Sequence, residues 1–406
     1  MKKTAEAPDP APRGARAVPR SVWALGFVSM FMDISSEMIH ALLPLYMVAV
    51  LGTSVLAVGL IEGLAEATAS IVKVFSGALS DRFGKRKLLA VVGYGLAALT
   101  KPVFPLGTGL EWLVGARLVD RIGKGIRGAP RDALVADVTP PELRGTAYGL
   151  RQTLDTIGAF TGPLLAMALM WWTADNYRLV FWFAVLPAFV AVAVLVFCVR
   201  EPQLPVPQRP RKLPLRRSDL VSLGAAYWWV VGIGLVFTLA RFSEAFLILR
   251  AESAGLPPMW APAVLVVMGL AYSLSAYPAG VLSDRMRRLD LLLVGLALLI
   301  AADLVLALVP GLVGLAIGTA LWGLHMGFTQ GLFNTLIADN APDALRGTAF
   351  GMYHLLTGVA LLLASVIAGA LWDAVGFQGT FAFGAVLASL TAAGLWSLRR
   401  SGRALL

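Results

Sequence analysis

Residues 77–86 read Gly-Ala-Leu-Ser-Asp-Arg-Phe-Gly-Lys-Arg, and residues 280–285 read Gly-Val-Leu-Ser-Asp-Arg, 203 positions later. A second pair repeats at almost the same offset. Residues 136–149, Ala-Asp-Val-Thr-Pro-Pro-Glu-Leu-Arg-Gly-Thr-Ala-Tyr-Gly, return at 338–351 as Ala-Asp-Asn-Ala-Pro-Asp-Ala-Leu-Arg-Gly-Thr-Ala-Phe-Gly, 202 positions later. Two separate matches at one spacing identify an internal duplication. Each repeat lies in a polar turn after an even-numbered apolar segment, so the duplicated unit is a set of helices.

Working outward, the surrounding sequence is too apolar for a soluble domain. Hydrophobic residues make up 58% and charged residues 14%, with mean hydropathy +0.76, against roughly 45–50% and about 25% in ordinary globular proteins. Apolar windows such as 22–51, 56–78 and 88–106 reach the ~20 residues that cross a bilayer as a helix. About twelve such windows follow one another, separated by short polar breaks. The expected fold is therefore an all-α integral membrane protein with twelve transmembrane helices in two pseudo-symmetric six-helix bundles. The expected parts are a disordered cytoplasmic tail (1–21), an N-terminal bundle (22–199), a Pro- and Arg-rich cytoplasmic linker (200–221), a C-terminal bundle (222–398) and a cytoplasmic tail (399–406).

The net charge of +10 does not point to nucleic acid, because the basic residues flank apolar segments. Lys2, Lys3, Arg13, Arg16 and Arg20 precede the first span, Arg200, Arg209, Arg211, Lys212, Arg216 and Arg217 lie in the middle, and Arg399, Arg400 and Arg403 close the chain. Segments on the other side, such as 52–54, 105–109 and 310–314, carry no Lys or Arg. The positive-inside rule then puts both termini and the linker in the cytoplasm of a bacterial-type inner membrane, with anionic lipid as partner of the basic surface. The single cysteine, Cys198, excludes an internal disulfide. No Cys/His cluster has metal-ligand spacing and no nucleotide-binding loop is present, so no metal, cofactor or enzymatic chemistry is expected. The chain is expected to function as a monomer.

The stretch Gly77-x-x-x-Asp81-Arg82-x-Gly84-Lys-Arg86 between spans 2 and 3 resembles the signature loop of the major facilitator superfamily, and its second copy ends at Asp284-Arg285. The likeness covers nearly the whole chain. It implies that the loop latches the two halves on the cytoplasmic side through Asp81, Arg82 and Arg86. Arg144 and Arg346, in the turns of the other repeat, are placed to join that latch, and the alternative is that these basic residues only hold the loops inside. Within the superfamily, Gly149-x8-Gly158-x3-Gly162-Pro163 resembles the span 5 motif of proton-driven efflux pumps. Ala166 stands where that pattern continues with glycine. Gly-x-x-x-Gly spacing also serves close helix packing in lipid.

Ionisable groups inside apolar spans are the functional candidates, because a lipid-facing charge near a helix centre costs about 2.5–3.5 kcal/mol on insertion scales. In span 1, Asp33, Ser36, Glu37 and His40 share one helix face. Two carboxylates one turn apart suit a proton-coupling site, and pairing with a basic helix is the alternative. Glu62 and Glu66 in span 2 repeat the spacing; Glu62 is expected near the outer surface and Glu66 deeper. Span 4 carries Arg117, Arg121, Lys124, Arg127 and Arg131 at spacings of four, three, three and four, a basic stripe of about 21 Å. Asp120 is placed to pair with Lys124. The stripe forms either a charge network with the acids of spans 1 and 2 or an electropositive wall for an anionic solute. Arg241 and Glu244 of span 7 and His325 of span 10 complete the expected cavity.

These readings describe a secondary active transporter working by alternating access, exchanging protons for an expelled small organic or chelated solute. The alternatives are an importer or exchanger of an organic anion built on the span 4 stripe, and a non-transporting membrane receptor.

Overall fold

The computed structural model describes residues 18–83, 85–140, 143–200, 217–283, 286–342 and 345–400. Twelve long helical segments follow in order: α1 (Arg20–Val50), α2 (Val55–Phe83), α3 (Arg86–Leu106), α4 (Leu110–Asp137), α5 (Arg144–Trp172), α6 (Tyr177–Cys198), α7 (Gly224–Ser253), α8 (Ala263–Ser283), α9 (Arg288–Leu308), α10 (Gly311–Asn340), α11 (Arg346–Val375) and α12 (Phe377–Arg400). A short helix, Arg217–Ser222, precedes α7. The first helix starts two residues before the expected boundary at 22, and the last ends two after 398. Most of the expected tails and linker lies outside the described residues.

Eleven of these segments are long and apolar enough to cross a membrane. The exception is α4, 28 residues long and too highly charged by composition. It spans because its charges point inward: Arg117, Asp120, Arg121 and Arg127 are buried, while Trp112 and Val119 face outward. Tertiary structure thus supplies the partners that hydropathy cannot see. Trp171, Trp172, Trp229 and Trp260 are exposed near helix ends, where amphipathic rings favour the membrane interface.

Three helices are interrupted, each with a local cause. Pro44 follows the turn at 41–42 that ends the first part of α1, which then continues through a short π-helical stretch, Tyr46–Val50. Pro102, which has no N–H to donate, divides α3 into Arg86–Thr100 and Val103–Leu106. In α7 the polar run Arg241-Phe-Ser-Glu244 separates Gly224–Ala240 from Ala245–Ser253. Broken backbone at membrane depth is tolerated where it lines a cavity or is covered by protein, and α7 meets that condition.

The two halves repeat their packing. Helix α1 lies against α5 and α6, α2 against α4, and α3 against α4 and α6; the same pairs return as α7 with α11 and α12, α8 with α10, and α9 with α10 and α12. The halves meet along α2–α11 and along its pseudo-symmetric equivalent, α5–α8. Glycine makes the first seam possible. A Cβ on Gly63 would stand 2.9 Å from the Leu362 Cα, and one on Gly369 2.7 Å from the Leu56 Cα.

Candidate functional site

A cavity of about 480 Å³ lies between the halves near the middle of the helices. Its N-terminal wall is charged: Glu37 and His40 from α1, Glu62, Glu66 and Ser70 from α2, and Arg121 and Lys124 from α4. The opposite wall is mainly aromatic and small, with Phe237, Phe242, Phe333, Tyr353, Thr357 and Gly358, and with Arg241 and Glu244 at the break in α7.

Most charges of the first half are satisfied across helices. Arg117 donates to Glu62 at 2.6 Å, and Arg121 stands 2.9 Å from Glu66. His40 bridges two acids, with Nδ1 3.3 Å from Glu37 and Nε2 3.7 Å from Glu62. Lys101, at the break in α3, donates to Asp120 at 2.8 Å and to Ser36 at 3.1 Å. Farther toward the end of the bundle that carries the termini, Arg127 lies 4.0 Å from Asp33 and over the Tyr94 ring. Arg131 meets Ser29 and Asp132, both at 3.0 Å. Arg151 meets Asp155 at 2.6 Å, and Arg86 pairs with Asp137. Around the cavity, Glu37, Glu62, Glu66 and Glu244 are set against Arg117, Arg121, Lys124 and Arg241, so the formal charges cancel. That balance keeps the cost of bringing them into an apolar bundle low, because breaking one partner of a buried pair is far more expensive than the pair itself.

Lys124 differs from the rest of its stripe. It is exposed to the cavity and forms no ion pair among the described residues. Its expected partner, Asp120, is taken by Lys101 instead, with Arg121 3.9 Å away. The spacing of four is correct along the helix, but Asp120 faces α3 and Lys124 faces the cavity. Glu62 likewise departs from its expected place near the outer surface: it is 1% exposed and locked to Arg117.

The remaining sequence candidates divide clearly. Glu37, His40, Glu66, Arg121, Lys124, Arg241 and Glu244 line the cavity. Ser36, Arg117, Asp120 and His325 do not. They stand behind its wall, each held by another group: Lys101 for Ser36 and Asp120, Glu62 for Arg117, and the Gly295 carbonyl for His325. Asp33 also lies off the cavity, separated from Glu37 by its turn toward Arg127. Gly158 and Gly162 seat α5 on α1, where added Cβ atoms would fall 2.6 Å from the Met30 carbonyl and from the Glu37 Cβ. Gly149 has open space around it and Pro163 lies inside α5. In the latch, Gly84, Asp284 and Arg285 lie outside the described residues, as do the side chains of Gly77, Asp81, Arg82 and Arg346. Arg86 turns back to its own half through Asp137 and the Ala133 carbonyl, and Arg144 is exposed at the start of α5.

Sequence reasoning missed Lys101, Asp303 and Arg250, all buried. Lys101 and Asp303 are each a lone charge in an apolar run, which is itself a signal, whereas Arg250 has Glu252 two residues on.

A twelve-helix duplicated bundle with its polar cavity at the seam is now matched by comparison with known sequences. The Major Facilitator Superfamily profile covers residues 25–353 and 251–404. The chain belongs to the major facilitator superfamily. It is 32% identical over 390 residues to an uncharacterized MFS-type transporter, MJ1317, of Methanocaldococcus jannaschii, covering 93% of this chain and 94% of that one. It is 26% identical over 338 residues to the multidrug resistance protein MdtH of Proteus mirabilis, covering 80% of each. Among solved structures, a POT family transporter in complex with 5-aminolevulinic acid superposes with TM-score 0.81 at 14% identity, covering 95% of this chain and 97% of that one. The nucleoside transporter NupG gives 0.76 at 15% identity, covering 93% and 99%. At such identities the structural likeness speaks to the fold alone. The chain is thus a multi-pass membrane transporter of this superfamily and not an enzyme.

Proposed function

We propose that this transporter exchanges protons for a small organic or chelated solute that it expels across the inner membrane, with both termini in the cytoplasm and the monomer as the working unit. The observation that carries the reading is the set of carboxylates at the cavity wall. Glu37 and Glu66 face the space where a solute would sit, and each is already held by a basic group, His40 or Arg121. A proton arriving on either acid weakens that pairing and frees the basic group, which couples loading to a change in the contacts around the solute. Asp33 stands between the cavity and the ion pairs at the terminal end and would relay the proton. The likeness to MdtH supports export.

A second reading rests on Lys124. A cavity-facing ammonium with no ion pair among the described residues suits a carboxylate or phosphate on the solute, as an organic-anion importer or exchanger requires.

The deciding experiment follows internal pH and labelled solute in proteoliposomes under an imposed proton gradient. The intact protein is compared with Glu37→Gln, Glu66→Gln and Asp33→Asn over a chemically varied solute panel. Solute-dependent proton movement opposite to the solute, abolished in Glu37→Gln or Glu66→Gln, is the expected result. Solute crossing with no proton movement sinks the coupling, and saturable binding without flux points to a receptor.

A further inference from the structure

The second half holds a carboxylate that the cavity does not use. Asp303, in the last third of α9, is 0% exposed, and neither of its oxygens has a hydrogen-bond partner among the described residues. Its Oδ2 lies 2.5 Å from where a Cβ on Gly384 of α12 would stand, and the Phe242 ring lies 3.2 Å from the same point. Glycine at 384 therefore leaves the room that the carboxyl group occupies.

The helices packed around Asp303 offer it no counter-charge. Among the described side chains of α10 the titratable group is His325, whose Nδ1 is bonded to the Gly295 carbonyl. From α7 the buried cation is Arg250, which donates to the carbonyls of Leu306 and Val309 and lies over the Phe377 ring. It makes no ion pair with Asp303. Arg241 is 3.6 Å from Glu244. The described parts of α8 and α12 that cross the apolar core contribute no charged residue. An ionised carboxylate in such surroundings, without donor or cation, is far costlier than the same group carrying a proton.

A single side chain separates this site from the cavity. Phe242 lines the cavity on one side and approaches the Asp303 site on the other. It sits in the non-helical break of α7, between Gly224–Ala240 and Ala245–Ser253, and its ring packs on Trp322 and Phe381. We propose that Asp303 is a proton-binding carboxyl group of the second half, held neutral in this conformation, and that Phe242 gates its exchange with water in the central cavity. The site lies in the half that lacks the basic stripe, so it would operate separately from Glu37 and Glu66 and stands whatever solute or direction the transporter proves to have.

Infrared spectroscopy of the full chain in lipid tests it without any flux measurement. The difference between the intact protein and Asp303→Asn at neutral pH should contain the carbonyl stretch of a protonated carboxyl group. Loss of an ionised carboxylate band instead would overturn the assignment. Asp303→Leu serves the same comparison should the Asn variant not fold. On transfer to deuterated water, the protonated-carboxyl band should shift at least tenfold faster in Phe242→Ala than in the intact protein. An unchanged rate would overturn the gating by Phe242.

Discussion

Asp373, near the end of α11, accepts the backbone N–H of Leu56 at 2.9 Å and that of Val55 at 3.0 Å. A carboxylate from the second half thereby caps the first turn of a helix in the first half, at the end of the bundle away from the termini. Capping carboxylates satisfy N–H groups that the helix itself leaves open and sit favourably on its dipole. This contact joins the halves on the side opposite the sequence-motif loops, where the proposed alternating access would have them separate.

Asp373→Ala should weaken that closure. Loss of an N-cap costs about 1 kcal/mol, or roughly a fivefold shift in a two-state equilibrium. Spin-label distances between the 55–56 and 369–373 regions should lengthen in a larger fraction of molecules. Asp373→Asn should fall between the two, because the amide oxygen still accepts.

Lys101 and Asp120 should behave as a buried pair. Lys101→Met leaves Asp120 nearly alone in the core and should destabilise the protein by about 3–5 kcal/mol. The double variant with Asp120→Leu should recover most of that loss. Thermal unfolding in detergent reads both, and equal damage in single and double variants would show that the pair is not what holds this region.

Lys124 and Arg121, three residues apart, should respond in opposite ways. Arg121→Gln removes the partner of Glu66 and should lower thermal stability. Lys124→Gln breaks no ion pair and should leave stability nearly unchanged. It should instead weaken the apparent affinity for solutes bearing a carboxylate by about tenfold, the scale of one charged hydrogen bond. Concentration dependence of uptake into proteoliposomes distinguishes the two effects.

The glycines of α5 should not be equivalent. Gly162→Ala places a methyl group 2.6 Å from the Glu37 Cβ and should cost about 1–3 kcal/mol through overpacking. Gly149→Ala meets nothing within 4 Å and should be neutral or mildly stabilising, by up to about 1 kcal/mol, as alanine replaces glycine in a helix. Equal melting temperatures for the two variants would contradict the close α1–α5 seam.

Much of the architecture could be read from the chain, because span length, polar breaks and the 202–203 residue repeat are properties of local sequence. Several cavity residues were legible for the same reason: a charge in an apolar run must find protein or water. Lys101 and Asp303 carried that signal too, yet within span 3 and span 9 each stood alone, with no neighbour to form a pattern.

Pairing was another matter. Helical spacing fixes which side chains share a face, and on that basis alone Asp120 and Lys124 belong together. The fold turns Asp120 toward α3 and leaves Lys124 in the cavity, through the rotation of α4 and the depth at which α3 breaks. It also draws Glu62 inward to Arg117 and sends Asp33 away from Glu37. The sequence by itself determined that a charge inside an apolar span must face protein or water, and a rise of about 1.5 Å per residue set position along each helix, though it misplaced Glu62. Only the tertiary structure decided which opposite charge each one meets. That choice depends on helix rotation and close approach across the seams, which are set by many weak contacts acting together and not by any short stretch of chain.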